Sequence, residues 1–199
     1  MLLIYKPSVM IDKAMEAIRD ELNAHYRHRY GLDEDMAIIA NLISPEGKIA
    51  DGEANKVVIT LINIEHETSV SNKRTMVQDG DSYVKYNSPV SVNFYIVCAA
   101  HFKESNYVEA VKFISSVILF FQGKHLFTHQ NTTGLDRSIE KLSLEIVNQD
   151  LQHLSSFWSF IGTRYMPSVI FKVRAVTFDD NTVMEIRKAA TNPALETKG

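Results

Sequence analysis

Val90-Ser-Val-Asn-Phe-Tyr-Ile-Val-Cys-Ala99 decides the fold class. Val90, Val92, Phe94, Ile96 and Cys98 fall on one side of an extended chain. Ser91, Asn93, Tyr95, Val97 and Ala99 fall on the other. The alternation predicts a long strand opened by Pro89. Asn106 then precedes Glu109 by the spacing of a capping box. Val108, Val111, Ile114, Val117, Ile118 and Phe121 recur as the wide apolar face of a helix that Gly123 ends. A strand leading into an amphipathic helix calls for a sheet with a helix laid against it.

The flanking segments repeat this grammar. Ile11, Ala14, Met15, Ile18 and Leu22 give one apolar stripe over about 9–26, with Ser8 as N-cap and Gly31 as stop. His25, Arg27, His28 and Arg29 complement the negative end of that helix. Ala37–Ile43 and Lys56–Glu67 read as strands, the second apolar on both faces and therefore central. Ile139–Val147 is a strand, with Leu142, Leu144 and Ile146 in step. Asn148 or Asp150 caps a third helix carrying Leu151, Leu154, Phe157, Trp158 and Ile161, and Gly162 ends it. Pro167–Phe178 is the last strand. The order α-β-β-β-α-β-α-β predicts an α+β fold, a mixed and mostly antiparallel sheet with helices packed on it.

Two segments stand apart. Residues 68–88 are polar and too long for a plain connection, and Asp79-Gly80 is a hairpin signal, so an extended arm is expected there. Its Lys73, Arg74, Asp79 and Asp81 are the candidate contact residues. From Asp179 the chain turns polar, and 179–199 reads as a loosely ordered tail behind a domain of residues 1–178. Within the tail, Val183, Met184 and Ile186 can form one short docked contact.

Composition excludes several classes. With 199 residues, 45% hydrophobic and 23% charged, the chain suits one globular domain. The net charge of -3 argues against nonspecific nucleic-acid binding. No apolar run reaches the roughly 20 residues of a membrane span, and no signal peptide is read at the start. The single cysteine, Cys98, lies in an apolar run and reads as a buried thiol. His125 and His129 have i, i+4 spacing, but Gly123 has already ended the helix and no third ligand is near, so neither metal nor cofactor is expected. His129 is expected to hold the 128–131 loop by hydrogen bonds. Asn131-Thr-Thr-Gly134 reads as a turn rather than a glycosylation site. Phosphate-loop, dinucleotide and nucleophile-elbow motifs are missing from the sequence, and the paired acids Glu65/Glu67 and Asp179/Asp180 read as solvated.

One series of short segments is more specific than any of these. Glu21-Leu-Asn23 is followed in order by Leu61-Ile-Asn-Ile-Glu65, Asn87-Ser-Pro-Val-Ser-Val-Asn-Phe-Tyr95 and Tyr107–Ile114 with Phe120-Phe-Gln122. Phe127-Thr-His-Gln-Asn131, Ile139-Glu-Lys-Leu142 and Tyr165-Met-Pro-Ser-Val169 complete it. The series resembles the tube-terminator (cap) family of phage-tail-like contractile injection systems. The resemblance implies a structural protein and no enzyme. It would form a homo-hexameric ring on the distal end of an inner tube, stop tube growth and join the tube to the last sheath ring. Its partners would be itself, the inner tube protein and the sheath protein, with no nucleic acid and no membrane. Assembly would take place in the cytoplasm, in a particle released outside the cell. The rival readings are a ring-forming adaptor elsewhere in the particle, such as the baseplate, and an enzyme with an unrecognised site.

Overall fold

The computed structural model describes residues 10–43, 54–68, 77–79, 82–86, 90–178 and 183–188. Its core is a six-stranded sheet: β1 (Ala37–Ile39), β2 (Lys56–His66), β5 (Val90–His101), β6 (Leu126–Thr128), β7 (Lys141–Ile146) and β8 (Ser168–Phe178). The spatial order is β1-β2-β5-β8-β7-β6. Only β1 and β2 run parallel, and the other neighbours are antiparallel. The expected α+β class and mixed sheet are therefore found. The strand at 90–101 that opened the argument sits at the sheet's centre, between β2 and β8.

Helices α1 (Met10–Tyr30) and α2 (Tyr107–Gly123) cover one face of the sheet. Against them lie Phe94, Ile96 and Cys98 of β5, Val57 and Ile59 of β2, and Phe171 and Val173 of β8. Phe121 of α2 stacks on Phe171 at 4.7 Å between ring centroids, a separation at which aromatic pairs attract beyond their buried area. Helix α3 (Leu151–Ile161) covers part of the other face. There Trp158 packs with Val58, Val97, Ala99 and Ile170. Asp150 caps α3 by accepting the His153 amide at 2.8 Å, and Gly162 closes it in the left-handed region at φ 79°.

Several sequence expectations need correction. α1 runs four residues beyond Tyr26, to Tyr30, until Gly31 turns to φ 63° and its amide bonds Arg27 O at 3.0 Å. β1 stops at Ile39 rather than Ile43. The two apolar faces expected along β2 exchange at Ile62, where the register slips between Leu61 and Asn63. Before the slip Val58 faces α3. After it Ile64 pairs with Phe94, on the α1/α2 side, so one bulge moves the second half of the strand to the opposite face. The capping box is not made. A 3-10 turn, Glu104–Asn106, leads into α2, Asn106 bonds Asn55 at 3.2 Å, and Glu109 pairs with Lys112 instead.

A second sheet of three strands has the order β3-β4-β9, from β3 (Val77–Asp79), β4 (Ser82–Tyr86) and β9 (Val183–Lys188). β3 and β4 form an antiparallel hairpin with Asp79 opposite Ser82. β9 pairs antiparallel with β4, Val84 opposite Ile186 and Tyr86 opposite Val183. β4 and β9 are the sequence continuations of β5 and β8, whose own ladder ends with Val90 opposite Phe178. The central pair of the large sheet is thus taken up again by the small one.

Candidate assembly interface

The residues proposed from sequence fall in two groups, and the structure puts Asp79 of the first in the same three-stranded sheet as Val183, Met184 and Ile186 of the second. Asp79 ends β3, while Val183, Met184 and Ile186 lie on β9. β4 lies between them and bonds to both. Sequence reasoning placed the arm and the tail as separate contact devices. Their pairing lay beyond its reach, because the partners are about a hundred residues apart and nothing local encodes the match. Lys73, Arg74 and Asp81 lie outside the described residues.

On the α3 side of the six-stranded sheet, beyond the part that α3 covers, the strands carry a polar network. Glu65 binds Lys172, accepts from the Tyr95 hydroxyl at 3.0 Å and faces Asn93 Nδ2 at 3.4 Å. The Lys172 ammonium holds the Glu65 carboxyl below its ordinary range, and the carboxylate in turn raises the lysine. Asn93 also donates to Glu67 at 2.6 Å, and Arg174 reaches Glu145 at 3.0 Å. Each charge has an opposite partner, so the network fixes the outer strand surface without leaving a buried lone charge. Glu65, Asn93 and Tyr95 all belong to segments that carried the family resemblance, and the structure shows what they do together.

A second surface is apolar. Some residues of α2 that were read from sequence as its apolar face point outward: Val108 is 72% exposed, and Val111 and Ile118 are exposed as well. The inward positions are Ala110, Ile114, Val117 and Phe121. Val108, Val111 and Leu119, with Tyr30 from the end of α1 and Tyr107, line an open groove of about 490 Å³, edged by Arg29 and Lys112. Behind it His25 meets Ser116 at 3.2 Å and packs on Phe120. Burial lowers the His25 pKa from its ordinary value, and the positive charge of Arg29 lowers it further. Sequence reading missed this groove. The available signal was an apolar face on α2 wider than one sheet can cover. Leu151, also assigned to a core stripe, is 85% exposed at the start of α3.

The histidine pair is not assembled into a site. His125 gives its backbone carbonyl to Leu144 at 2.9 Å. The 128–131 loop is held by Asn131, not His129: Asn131 Oδ1 accepts from the Thr128 amide and its Nδ2 donates to Leu126 O, both at 2.9 Å. Among the described residues no three His, Cys, Asp or Glu side chains converge as metal ligands. Cys98 is buried, and burial pushes its thiol up to about 12. No helix among the described residues is long and apolar enough to cross a membrane.

Comparison with known proteins places this fold. Solved structures that share it include the following two. One is the sheath/tube terminator of an extracellular contractile injection system, PVC, in its extended state. It aligns with TM-score 0.60 and 17% identity, over 95% of this chain and 62% of that one. The other is the tube-terminating cap of the anti-feeding prophage, with TM-score 0.54, 12% identity, and coverage of 97% and 62%. The chain therefore spans about 62% of the length of each of these proteins. The search of curated proteins found no match. The Pvc16 N-terminal domain profile matches residues 13–192, a span that takes in both described sheets, α2, α3 and all but the first three residues of α1. On that match, this chain belongs to the Pvc16 N-terminal domain family.

Proposed function

We propose that this chain is a structural cap of a contractile injection system. Copies close into a hexameric ring on the distal end of the inner tube, stop its growth and join it to the last sheath ring. The observation that carries this reading is the family match over residues 13–192, supported by a fold shared with two tube-terminating proteins.

The chemistry of the surfaces agrees with assembly work. β3 and β9 are the outer strands of the small sheet, and an outer strand offers backbone donors and acceptors to a neighbouring chain. In this reading the segment bearing Lys73, Arg74, Asp79 and Asp81 meets the tube or a neighbouring copy. Val183, Met184 and Ile186 belong to the side that couples to sheath. The partners are thus other copies, the tube protein and the sheath protein, with neither nucleic acid nor membrane required. Assembly takes place in the cytoplasm, in a particle that is later released. The role involves binding and no catalytic step.

The test is tube polymerisation in the presence of the purified chain. Tubes are expected to shorten as the chain is added, with bound protein confined to one end. An unchanged length distribution with no end-bound protein overturns the reading.

A further inference from the structure

We propose that one buried water lies between Asn93 and Arg174 and fixes the bulge through which the central ladder leaves the core. The site is independent of the cap reading.

Along β5 and β8, Val92 is opposite Val176 and Phe94 is opposite Val173. Asn93 therefore faces two residues, Arg174 and Ala175. This is a bulge, with its extra residue on β8. Phe94 and Val173 pack under α1 and α2, whereas the side chains of Asn93 and Arg174 both reach toward Glu67.

Three observations meet there. Asn93 Oδ1 is a buried acceptor without a hydrogen-bond partner, and Arg174 Nε is a buried donor without one. Arg174 Nη1 also stops 4.0 Å from Glu67 Oε2, too far for a direct bond and near enough for one water to span. Neither orphan is met by turning its own group. Asn93 Nδ2 donates to Glu67 at 2.6 Å and faces Glu65 at 3.4 Å. A carboxylate only accepts, so the flipped amide would set Oδ1 against two carboxylates. The guanidinium is held by its Nη2, which donates to Glu145 at 3.0 Å.

The chemistry selects the occupant. It must donate to Asn93 Oδ1 and accept from Arg174 Nε–H. A metal cation is repelled by the guanidinium, and an anion is repelled by Oδ1 and by the Glu67 carboxylate. A neutral group with both a lone pair and a hydrogen remains, and at this depth that group is water. A buried water makes about three hydrogen bonds. Asn93, Arg174 and Glu67 supply three partners.

The position gives the water a task. Beyond the bulge the ladder runs from Val92 opposite Val176 to Val90 opposite Phe178, and β4 and β9 then take up the pairing. A bulge bends its strand and increases the local twist. Fixing it sets the direction in which the ladder runs on toward the small sheet.

A crystal structure of the full chain, at a resolution that shows ordered water, tests the site. One water is expected within about 2.7 to 3.2 Å of both Asn93 Oδ1 and Arg174 Nε. A direct bond between those two atoms, or no water density at the site, overturns the inference. In solution, Arg174 Hε should show cross-relaxation with water of the sign given by a long-lived bound molecule; the opposite sign overturns the inference as well. Arg174→Lys keeps the positive charge and removes Nε. Amide protection over residues 90–92 should then fall by about fivefold or more. Glu145→Gln, which loosens only the other partner of Arg174, should leave that protection nearly unchanged. Equal losses in the two variants, or no loss in Arg174→Lys, show that the water does not fix the bulge.

Discussion

Replacing Asn23 by alanine is expected to lower the unfolding free energy by on the order of 4 kcal/mol. Asn23 is 2% exposed in the middle of α1. Its Oδ1 accepts the amides of Met36 at 3.0 Å and Ala37 at 2.8 Å, and its Nδ2 donates to Ala37 O at 2.9 Å. β1 is the outer strand of the sheet, and its inner side is bonded to β2 through contacts such as Val57 N to Met36 O at 2.7 Å. The donor and acceptor of Ala37 face the other way, toward the helix. The Asn23 carboxamide meets both, as the backbone of one more strand would. One side chain thereby ties α1 to the sheet and closes a buried edge. Alanine leaves three buried backbone groups without partners, and each such loss costs about 1 to 3 kcal/mol. Urea unfolding of Asn23→Ala measures the total. Asn23→Leu separates the causes, because it restores volume but no hydrogen bonds and should be nearly as destabilising. A loss below about 1 kcal/mol for both variants contradicts the account.

The second large effect concerns the small sheet. Truncation after Asp180 removes β9 and leaves β4 paired with β3 alone, a ladder of three residue pairs. A lone hairpin of that size is marginal in water. Amide protection over 77–86 is therefore expected to collapse. The six-stranded core should change by less than about 1 kcal/mol, since it opens as a separate cooperative unit. Capping should be lost. Deletion of Ser71–Ser82 removes β3 and the start of β4, and should reproduce that defect, because each deletion destroys the same sheet from one side. Protection that survives the truncation, or two deletions with different defects, shows that the β4–β9 pairing does not hold the unit together.

These two sites also mark where the sequence stops being readable. β5, β7, β8 and α3 announce themselves, because burial on one or both faces imposes a period that single residues report. β6 does not. Leu126-Phe-Thr128 is three residues long, and a period of two needs more positions to appear. β9 fails for a similar reason: within Val183-Met-Glu-Ile-Arg-Lys188 only Met184 to Arg187 alternate, and Val183 and Lys188 break the pattern on either side. α2 was recognised as a helix, and Ile114, Val117 and Phe121 do face inward, but Val108, Val111 and Ile118 do not, since apolar residues surround most of it and periodicity cannot choose between faces that are both apolar. Asn23 was quoted as part of a recurring segment, but its role depends on an unpaired strand edge 14 residues ahead. No local pattern shows that. Family membership was legible for the opposite reason: it rests on many segments in order, and an error in any one of them changes little.

The most direct test of the central claim is electron microscopy of purified chain mixed with polymerised tube, with particle mass measured in parallel. The account predicts a hexameric ring seated on one tube end. A chain that stays monomeric at every concentration, with tube ends bare, contradicts it.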